Sequence, residues 1–249
     1  MNNDIVQMLY EEMASITLER KKYIAKAFEI LPAMDRPSIL DVGCGNGGPT
    51  LELARRSRGK VIGLDINQAY LDRLIEASQK AGLSEQVGAV RMSMLNIIFP
   101  DESFDVVWAE ASVNAIGWVQ GLKKWRGLLN PGRFLVIHEM VWLRPGPPRE
   151  ILDYWKPRFP EIDTSEQNLK TALACGYGVL GHFPLPEDFW WGEYYERLEK
   201  KIEEHQCQPG RQAAELEALA SARHEIALYK RHASFFGSAY FILEKNSRD

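Results

Sequence analysis

Long apolar runs are missing from this 249-residue chain: nowhere does an uncharged hydrophobic stretch approach the roughly 18 residues that a bilayer-crossing helix needs. Near the start, Asp4, Glu11 and Glu12 interrupt the apolar positions, so neither an export signal nor a membrane span is expected. Cysteine is scarce. Cys44, Cys175 and Cys207 are odd in number, far apart and without a C-x-x-C pair, which gives no reason to expect a redox motif or a metal site and suits a reducing cytoplasmic setting. A strong charge of one sign is lacking too. Thirty basic residues (30) against 34 acidic ones give a formal charge of −4, so no general attraction to nucleic acid or anionic lipid is expected. What is present is 45% hydrophobic residues, enough for one large α/β domain or two small ones.

Along the chain, apolar residues recur at helical spacing from Ile5 to Leu31, and Pro32 and Pro37 close that region. Short apolar runs then alternate with helical patterns: strand 38–42 and helix 49–58, strand 60–65 and helix 68–81, strand 87–92, strand 104–109, helix 118–129 and strand 133–140. Strand alternating with helix predicts a parallel sheet with right-handed crossovers. Pro145-Gly-Pro-Pro148 marks a loop. Beyond it the spacing predicts helices over 150–155 and 165–175, a strand over 177–183, helices over 193–205 and 212–232, and a last strand over 238–245. The segment 189–232 reads as a helical insertion, because the strand after it needs a sheet to join.

The chemistry concentrates at Asp41-Val-Gly-Cys-Gly-Asn-Gly47, between a strand and a helix that opens near Pro49. Glycines let the backbone turn sharply and approach a bound molecule, while free N–H groups at a helix start favour an anionic group. Asp65 ends the following strand, at the distance where an acidic residue meets a ribose hydroxyl pair in Rossmann-type folds. Gly43-Cys-Gly-Asn-Gly-Gly48 also satisfies G-x-G-x-x-G, so a nicotinamide-dependent oxidoreductase competes, as does a protein that binds a cofactor without turnover. Asp41 separates these readings, because a carboxylate there sits badly beside a pyrophosphate and well beside a cationic ligand.

Ile39-Leu-Asp-Val-Gly-Cys-Gly-Asn-Gly47, Val61-Ile-Gly-Leu-Asp65 and Phe104-Asp-Val-Val-Trp108 resemble the first, second and fourth motifs of class I S-adenosylmethionine-dependent methyltransferases. With Phe99-Pro-Asp-Glu-Ser-Phe-Asp105 and Leu129-Asn-Pro-Gly-Arg-Phe-Leu-Val136, the pattern is most similar to the small-molecule group that includes ubiquinone and menaquinone biosynthesis methyltransferases. The resemblance implies a Rossmann-like fold with a mostly parallel seven-stranded sheet flanked by helices. It implies one domain: N-terminal helices over 1–34, a cofactor-binding core over 35–145, substrate-side helices and insertion over 146–237, and the final strand over 238–245. It further implies S-adenosylmethionine as cofactor. Asp41, Gly43, Cys44, Gly45 and Asn46 would hold its methionine end, Asp65 the ribose, and Ile66 the adenine. One departure stands out: where the family offers an acidic residue to the adenine amino group, this chain has Ser93. Ser93, Met94 and Leu95 are expected in the adenine pocket, with Asn96 as an alternative polar reader.

In an open parallel sheet, ligands lie beyond the carboxyl ends of the strands, so Glu110, Asn114, His138 and Glu139 face the expected acceptor, a small molecule. Methyl transfer is an in-line displacement in which alignment provides most of the acceleration, and a base is needed where the nucleophile must lose a proton. Glu110 can orient the acceptor or the cofactor amine, and His138 or Glu139 can take a proton. The plainer reading is a helix cap or salt-bridge partner for each carboxylate and a satisfied core histidine for His138. Six aromatics between His182 and Tyr195 either cover the acceptor, seat the inserted helix, or form a homodimer interface. Tyr10 and Tyr23 pose the same question of lid or packing. Lys123-Lys124-Trp-Arg126 lies at a helix C-terminus, where cations are electrostatically ordinary.

Overall fold

The computed structural model describes residues 18–206 and 213–246, so the expectations for Tyr10, for Cys207 and for the part of the N-terminal helices before residue 18 lie outside the described residues. Helix α1 (Leu18–Ile30) precedes the alternating series. That series runs β1 (Ser38–Val42), α2 (Gly48–Ser57), β2 (Lys60–Asp65), α3 (Gln68–Lys80), β3 (Val87–Arg91), β4 (Phe104–Glu110), α4 (Trp118–Leu128) and β5 (Leu129–Trp142). After the proline-rich loop come α5 (Arg149–Trp155), α6 (Ser165–Ala174), β6 (Tyr177–Pro184), α7 (Glu196–Gln206), α8 (Ala213–His232) and β7 (Phe236–Lys245).

The strands form one seven-stranded sheet in the order β3-β2-β1-β4-β5-β7-β6, parallel except for β7, which runs antiparallel between β5 and β6. Chain direction along the sheet edge reverses between β1 and β4, the crevice where open α/β sheets take their ligands. Consecutive residues of each strand point to opposite faces, and both faces are covered. Ile39, Val61, Val106, Val136 and Ile242 meet Ile24 of α1 and Leu53 and Leu74 of α2 and α3. Leu40, Leu64, Val107, Leu135 and Phe241 meet Leu122 and Trp125 of α4. Continuous apolar strands therefore follow from burial on two faces.

A third apolar cluster joins α5, α7 and α8 around Trp142, Trp155, Tyr195, Ile226, Tyr229 and Phe236, building the insertion onto the carboxyl end of β5. Strands β5 and β7 are longer than the sequence expectation, ending at Trp142 and beginning at Phe236, and two element starts differ in kind. Strand β5 begins at Leu129, which pairs with Phe104, and Asn130-Pro-Gly132 then bulges before Phe134 pairs with Val106, so a turn signal sits inside a strand. The helix expected from 193 opens with a π turn at Trp191–Tyr195, a widened geometry frequent near functional sites. Among the described residues no helix is long and apolar enough to cross a membrane.

Candidate functional site

The glycine-rich turn is fastened to the end of β2. Gly43 and Cys44 donate their N–H groups to the Leu64 carbonyl at 2.8 and 3.0 Å, and Gly45 donates to Asp65 Oδ2 at 3.0 Å. Asn67 donates to the other oxygen, Oδ1, at 2.9 Å. Gly43, Gly45 and Gly47 have φ of 74°, 52° and 80°, the left-handed region that glycine occupies without strain. Their surroundings differ. A Cβ on Gly43 would lie 2.6 Å from Ser112 Cβ, and one on Gly47 would lie 2.1 Å from Leu74 Cδ1, whereas one on Gly45 would meet nothing within 4 Å. The outer glycines thus serve packing, and the middle one opens onto free space.

These contacts separate two substitutions. Gly47→Ala is expected to destabilise the fold by about 2–4 kcal/mol, through overpacking and left-handed strain. Gly45→Ala is expected to cost about 1–2 kcal/mol of stability while its methyl group fills the open cradle. Denaturant unfolding of both variants checks the contrast; equal losses would mean that the two glycines share one role.

Asp41 is fully buried; Oδ2 accepts the Thr50 hydroxyl at 2.6 Å, and Oδ1 has no hydrogen-bond partner. Burial, reinforced by the nearby Glu110 and Asp65 carboxylates and opposed by the Thr50 hydrogen bond, raises its pKa from 3.8 to about 7. A carboxyl group whose folded pKa is raised costs stability that grows as pH climbs from the unfolded value toward the folded one. Asp41→Asn is therefore expected to stabilise the ligand-free protein by about 1–3 kcal/mol at pH 8 and by less at pH 5. Thermal melts at the two pH values measure it, and an equal gain at both would remove ionisation as the cause.

The other residues expected at the cofactor gather around Asp65. Met92 donates its N–H to the Asp65 carbonyl at 3.0 Å, bringing the turn after β3 beside Ile66. Ile66 and Leu95 are 67% and 56% exposed, two large apolar side chains left open to solvent. The Ser93 hydroxyl accepts the Leu95 N–H at 3.2 Å, Met94 reaches toward Gly43, and Asn46 holds a buried side-chain oxygen without a partner. Cys44 is buried, and burial pushes its thiol pKa up.

At the carboxyl ends of β4 and β5, Glu110 is buried and surrounded by donors. Its Oε1 accepts Trp108 Nε1 at 3.0 Å and the Tyr240 hydroxyl at 2.6 Å. Its Oε2 meets His138 Nδ1 at 2.9 Å and the Arg20 guanidinium at 3.5 Å. Burial alone would raise the Glu110 pKa, but His138, Arg20 and Tyr240 outweigh it and hold the carboxylate at about 2. The His138 ring stacks on Tyr240 and Trp190 at centroid distances of 4.5 and 6.0 Å. Its Nε2 lies 2.8 Å from Ser238 Oγ, which also accepts Trp190 Nε1 at 3.0 Å.

Neighbouring residues of β5 diverge. Glu139 accepts the N–H groups of Met140 at 2.8 Å and Asn114 at 3.1 Å, and burial raises its pKa. The Asn114 side chain donates to the Arg158 carbonyl at 3.3 Å and lines a small side cavity with Glu139. A larger cavity, about 280 Å³, is walled by Trp155, Phe159, Trp190, Tyr194, Tyr195 and Phe236, with Ala111, His138, Glu139, Arg158, Glu225 and Ser238 also on its lining. The aromatics after β6 also hold the insertion: Trp191 stacks on Tyr229, and Tyr195 tilts against it. Tyr23 of α1 meets Phe189 edge to face at 5.2 Å.

Cavity and turn share a wall. Ala111 lines the cavity in a left-handed conformation, φ 51°, and the next residue, Ser112, donates its hydroxyl to the Val42 carbonyl at 2.6 Å and crowds Gly43. A non-glycine residue held there is the sort of local strain that clusters at functional sites. Sequence reasoning missed Arg20, Tyr240 and Ser238. Ser238 and Tyr240 are two apart in β7, hence on one face, and a serine in the apolar run Phe236–Leu243 was the available signal.

Residues 39–132 match the family model described as a methyltransferase domain. A sterol 24-C-methyltransferase of Gibberella zeae is 37% identical over 164 residues, which are 66% of this chain and 39% of that protein. Cycloartenol-C-24-methyltransferase 1 of Oryza sativa subsp. japonica is 28% identical over 195 residues, 72% of this chain and 53% of that one. The chain thus spans about half or less of the length of these curated relatives. Among solved structures, the [4+2]-cyclase SpnF superposes with a TM-score of 0.79 at 22% identity, over 98% of this chain and 93% of that chain. Phosphoethanolamine N-methyltransferase 2 of Haemonchus contortus, in complex with S-adenosyl-L-methionine, superposes with a TM-score of 0.74 at 18% identity, over 99% of this chain and 57% of the other. These likenesses establish the shared fold. Residues 39–132, which hold the glycine-rich turn, Asp65 and Glu110, are thus similar to a methyltransferase domain.

Proposed function

We propose that the chain transfers a methyl group from S-adenosylmethionine to a small organic molecule by in-line displacement. The carrying observation is the Ala111–Ser112 wall, which puts an aromatic cavity behind the turn whose Gly45 is bonded to Asp65 at the end of β2. The residues fit the cofactor. Open space over Gly45 receives its backbone, and the unpartnered oxygens of Asp41 and Asn46 suit an ammonium group. Asp65 has lone pairs left for two ribose hydroxyls, and exposed Ile66 and Leu95, with Ser93 and Met94, bracket the adenine. In this reading residues 35–145 are the cofactor-binding core and 146–237 the substrate side of one domain. Bound there, the cofactor supplies a methyl carbon activated by a sulfonium. The protein supplies alignment and a largely apolar cavity, the main sources of acceleration for such a displacement. The setting we propose is cytoplasmic, without a nucleic-acid partner.

Equilibrium dialysis of the full-length chain against S-adenosylhomocysteine and NADH distinguishes the first rival. Retention of S-adenosylhomocysteine and not NADH is expected, and the reverse would replace this reading with a nicotinamide oxidoreductase. A cyclase of the same fold favours keeping a second rival, cofactor binding without methyl transfer. Labelled methyl appearing in an acceptor excludes it.

A further inference from the structure

The oxygen of Ser238 has one hydrogen-bonding valence left over, on a residue that lines the aromatic cavity. A hydroxyl offers one donor and two acceptor lone pairs. Glu110 is a carboxylate, so the facing His138 Nδ1 carries the proton of that 2.9 Å contact. In the neutral ring Nε2 is then an acceptor and takes the Ser238 hydroxyl proton across 2.8 Å. Trp190 Nε1 occupies one Ser238 lone pair at 3.0 Å. The second lone pair is free to accept, so the group it selects must donate. A carbonyl, an ether or a bare hydrocarbon leaves it unsatisfied.

His138 cannot fill this role by direct contact. Both ring nitrogens are engaged, and the ring lies parallel to Tyr240 and Trp190. Among the other polar groups of the cavity, Glu139 accepts two backbone N–H groups, Glu225 accepts the Tyr154 and Tyr195 hydroxyls, and Arg158 donates to the Tyr154 carbonyl; Ser238 differs from them in being bonded to an imidazole nitrogen able to take a proton. The walls between them are aromatic, which suits an uncharged skeleton.

We propose that the methyl acceptor is an uncharged, apolar alcohol or phenol whose O–H donates to Ser238 Oγ, and that Ser238 passes its proton to His138. The inference rests on the methyltransferase reading. In the transfer, an acceptor oxygen lone pair forms the C–O bond to the methyl carbon as the C–S bond breaks. The electron pair of that bond stays on sulfur and neutralises the sulfonium. The acceptor proton moves to Ser238 Oγ while the Ser238 proton moves to His138 Nε2, leaving an imidazolium held against Glu110. Oxygen is favoured over nitrogen because a neutral amine attacks without first losing a proton and has no use for such a relay. Carbon is disfavoured because a carbocation formed by methylation would meet a hydroxyl able to trap it as an ether.

The test is equilibrium dialysis of the full-length chain with S-adenosylhomocysteine and one of three probes: 1-naphthol, 1-methylnaphthalene, which replaces the hydroxyl by a methyl group, or 1-aminonaphthalene. Wild type is expected to hold 1-naphthol about tenfold or more tightly than 1-methylnaphthalene, the discrimination of a buried polar group left unpaired by the wrong ligand, and no less tightly than 1-aminonaphthalene, whose N–H is the weaker donor. Ser238→Ala is expected to abolish the preference, and Ser238→Thr, which keeps the hydroxyl, to retain it. Equal binding of 1-naphthol and 1-methylnaphthalene, or no binding of any probe, overturns the proposal. So does a preference that survives in Ser238→Ala, and tighter binding of 1-aminonaphthalene removes oxygen as the acceptor atom. Retention of S-adenosylhomocysteine in the same cell reports folding of each variant. Its loss from wild type would instead remove the methyltransferase reading itself.

Discussion

Replacing Asp65 with alanine is expected to weaken binding of S-adenosylmethionine and S-adenosylhomocysteine by about tenfold or more, the scale of a lost charge-assisted hydrogen bond. Two losses combine in that number. The carboxylate ends β2 where a ribose hydroxyl pair is expected, and it also receives the Gly45 and Asn67 N–H groups, so it fixes the shape of the cradle. Asp65→Asn separates the two. Its single side-chain carbonyl can keep one of the backbone contacts but cannot serve both N–H groups and the ribose, so an intermediate affinity is expected. Calorimetric titration of both variants measures the series. Unchanged affinity in Asp65→Ala would take Asp65 out of the site.

Glu110→Gln is expected to destabilise the fold by about 3–5 kcal/mol, because removing one partner of a buried ionic cluster leaves the rest uncompensated. The carboxylate receives Trp108, Tyr240, His138 and Arg20 together. An amide offers one accepting oxygen, and its NH₂ group confronts the donors on the other side. The effect carries a pH signature. Glu110 is held at about 2 in the folded protein against an ordinary 4.5, so its stabilisation is complete above the ordinary value and fades as pH falls from there toward about 2. Denaturant unfolding of wild type and variant across that window should show their difference shrinking with acid. A difference that stays constant would mean that the carboxylate charge is not what the cluster needs.

The parts of this molecule that were legible in its sequence are those set by local pattern. Buried strands such as Ser38–Val42 and Lys60–Asp65 read as apolar runs bounded by turn signals, and the glycines at 43, 45 and 47 mark a turn whatever surrounds it. Asp41, Asp65 and Glu110 stand at strand ends, where the sheet's carboxyl edge must lie. The division of labour among the glycines was not legible, because it depends on Leu74 and Ser112, residues brought in from α3 and from the turn after β4. The surroundings of Glu110 were hidden for the same reason. Arg20 comes from α1 and Tyr240 from β7, and β5–β7 register, which sets Tyr240 opposite His138, appears once the chain has folded. The strand at Leu129 escaped notice because Asn130-Pro-Gly132 reads as a break and is instead a bulge.

The glycine-rich cradle carries the whole account, and a calorimetric titration of the intact, folded chain with S-adenosylhomocysteine tests it most directly. Saturable binding to one site per chain is expected, retained in Ser238→Ala and weakened about tenfold or more in Gly45→Ala and in Asp65→Ala. A folded wild-type chain that takes up no S-adenosylhomocysteine would contradict it.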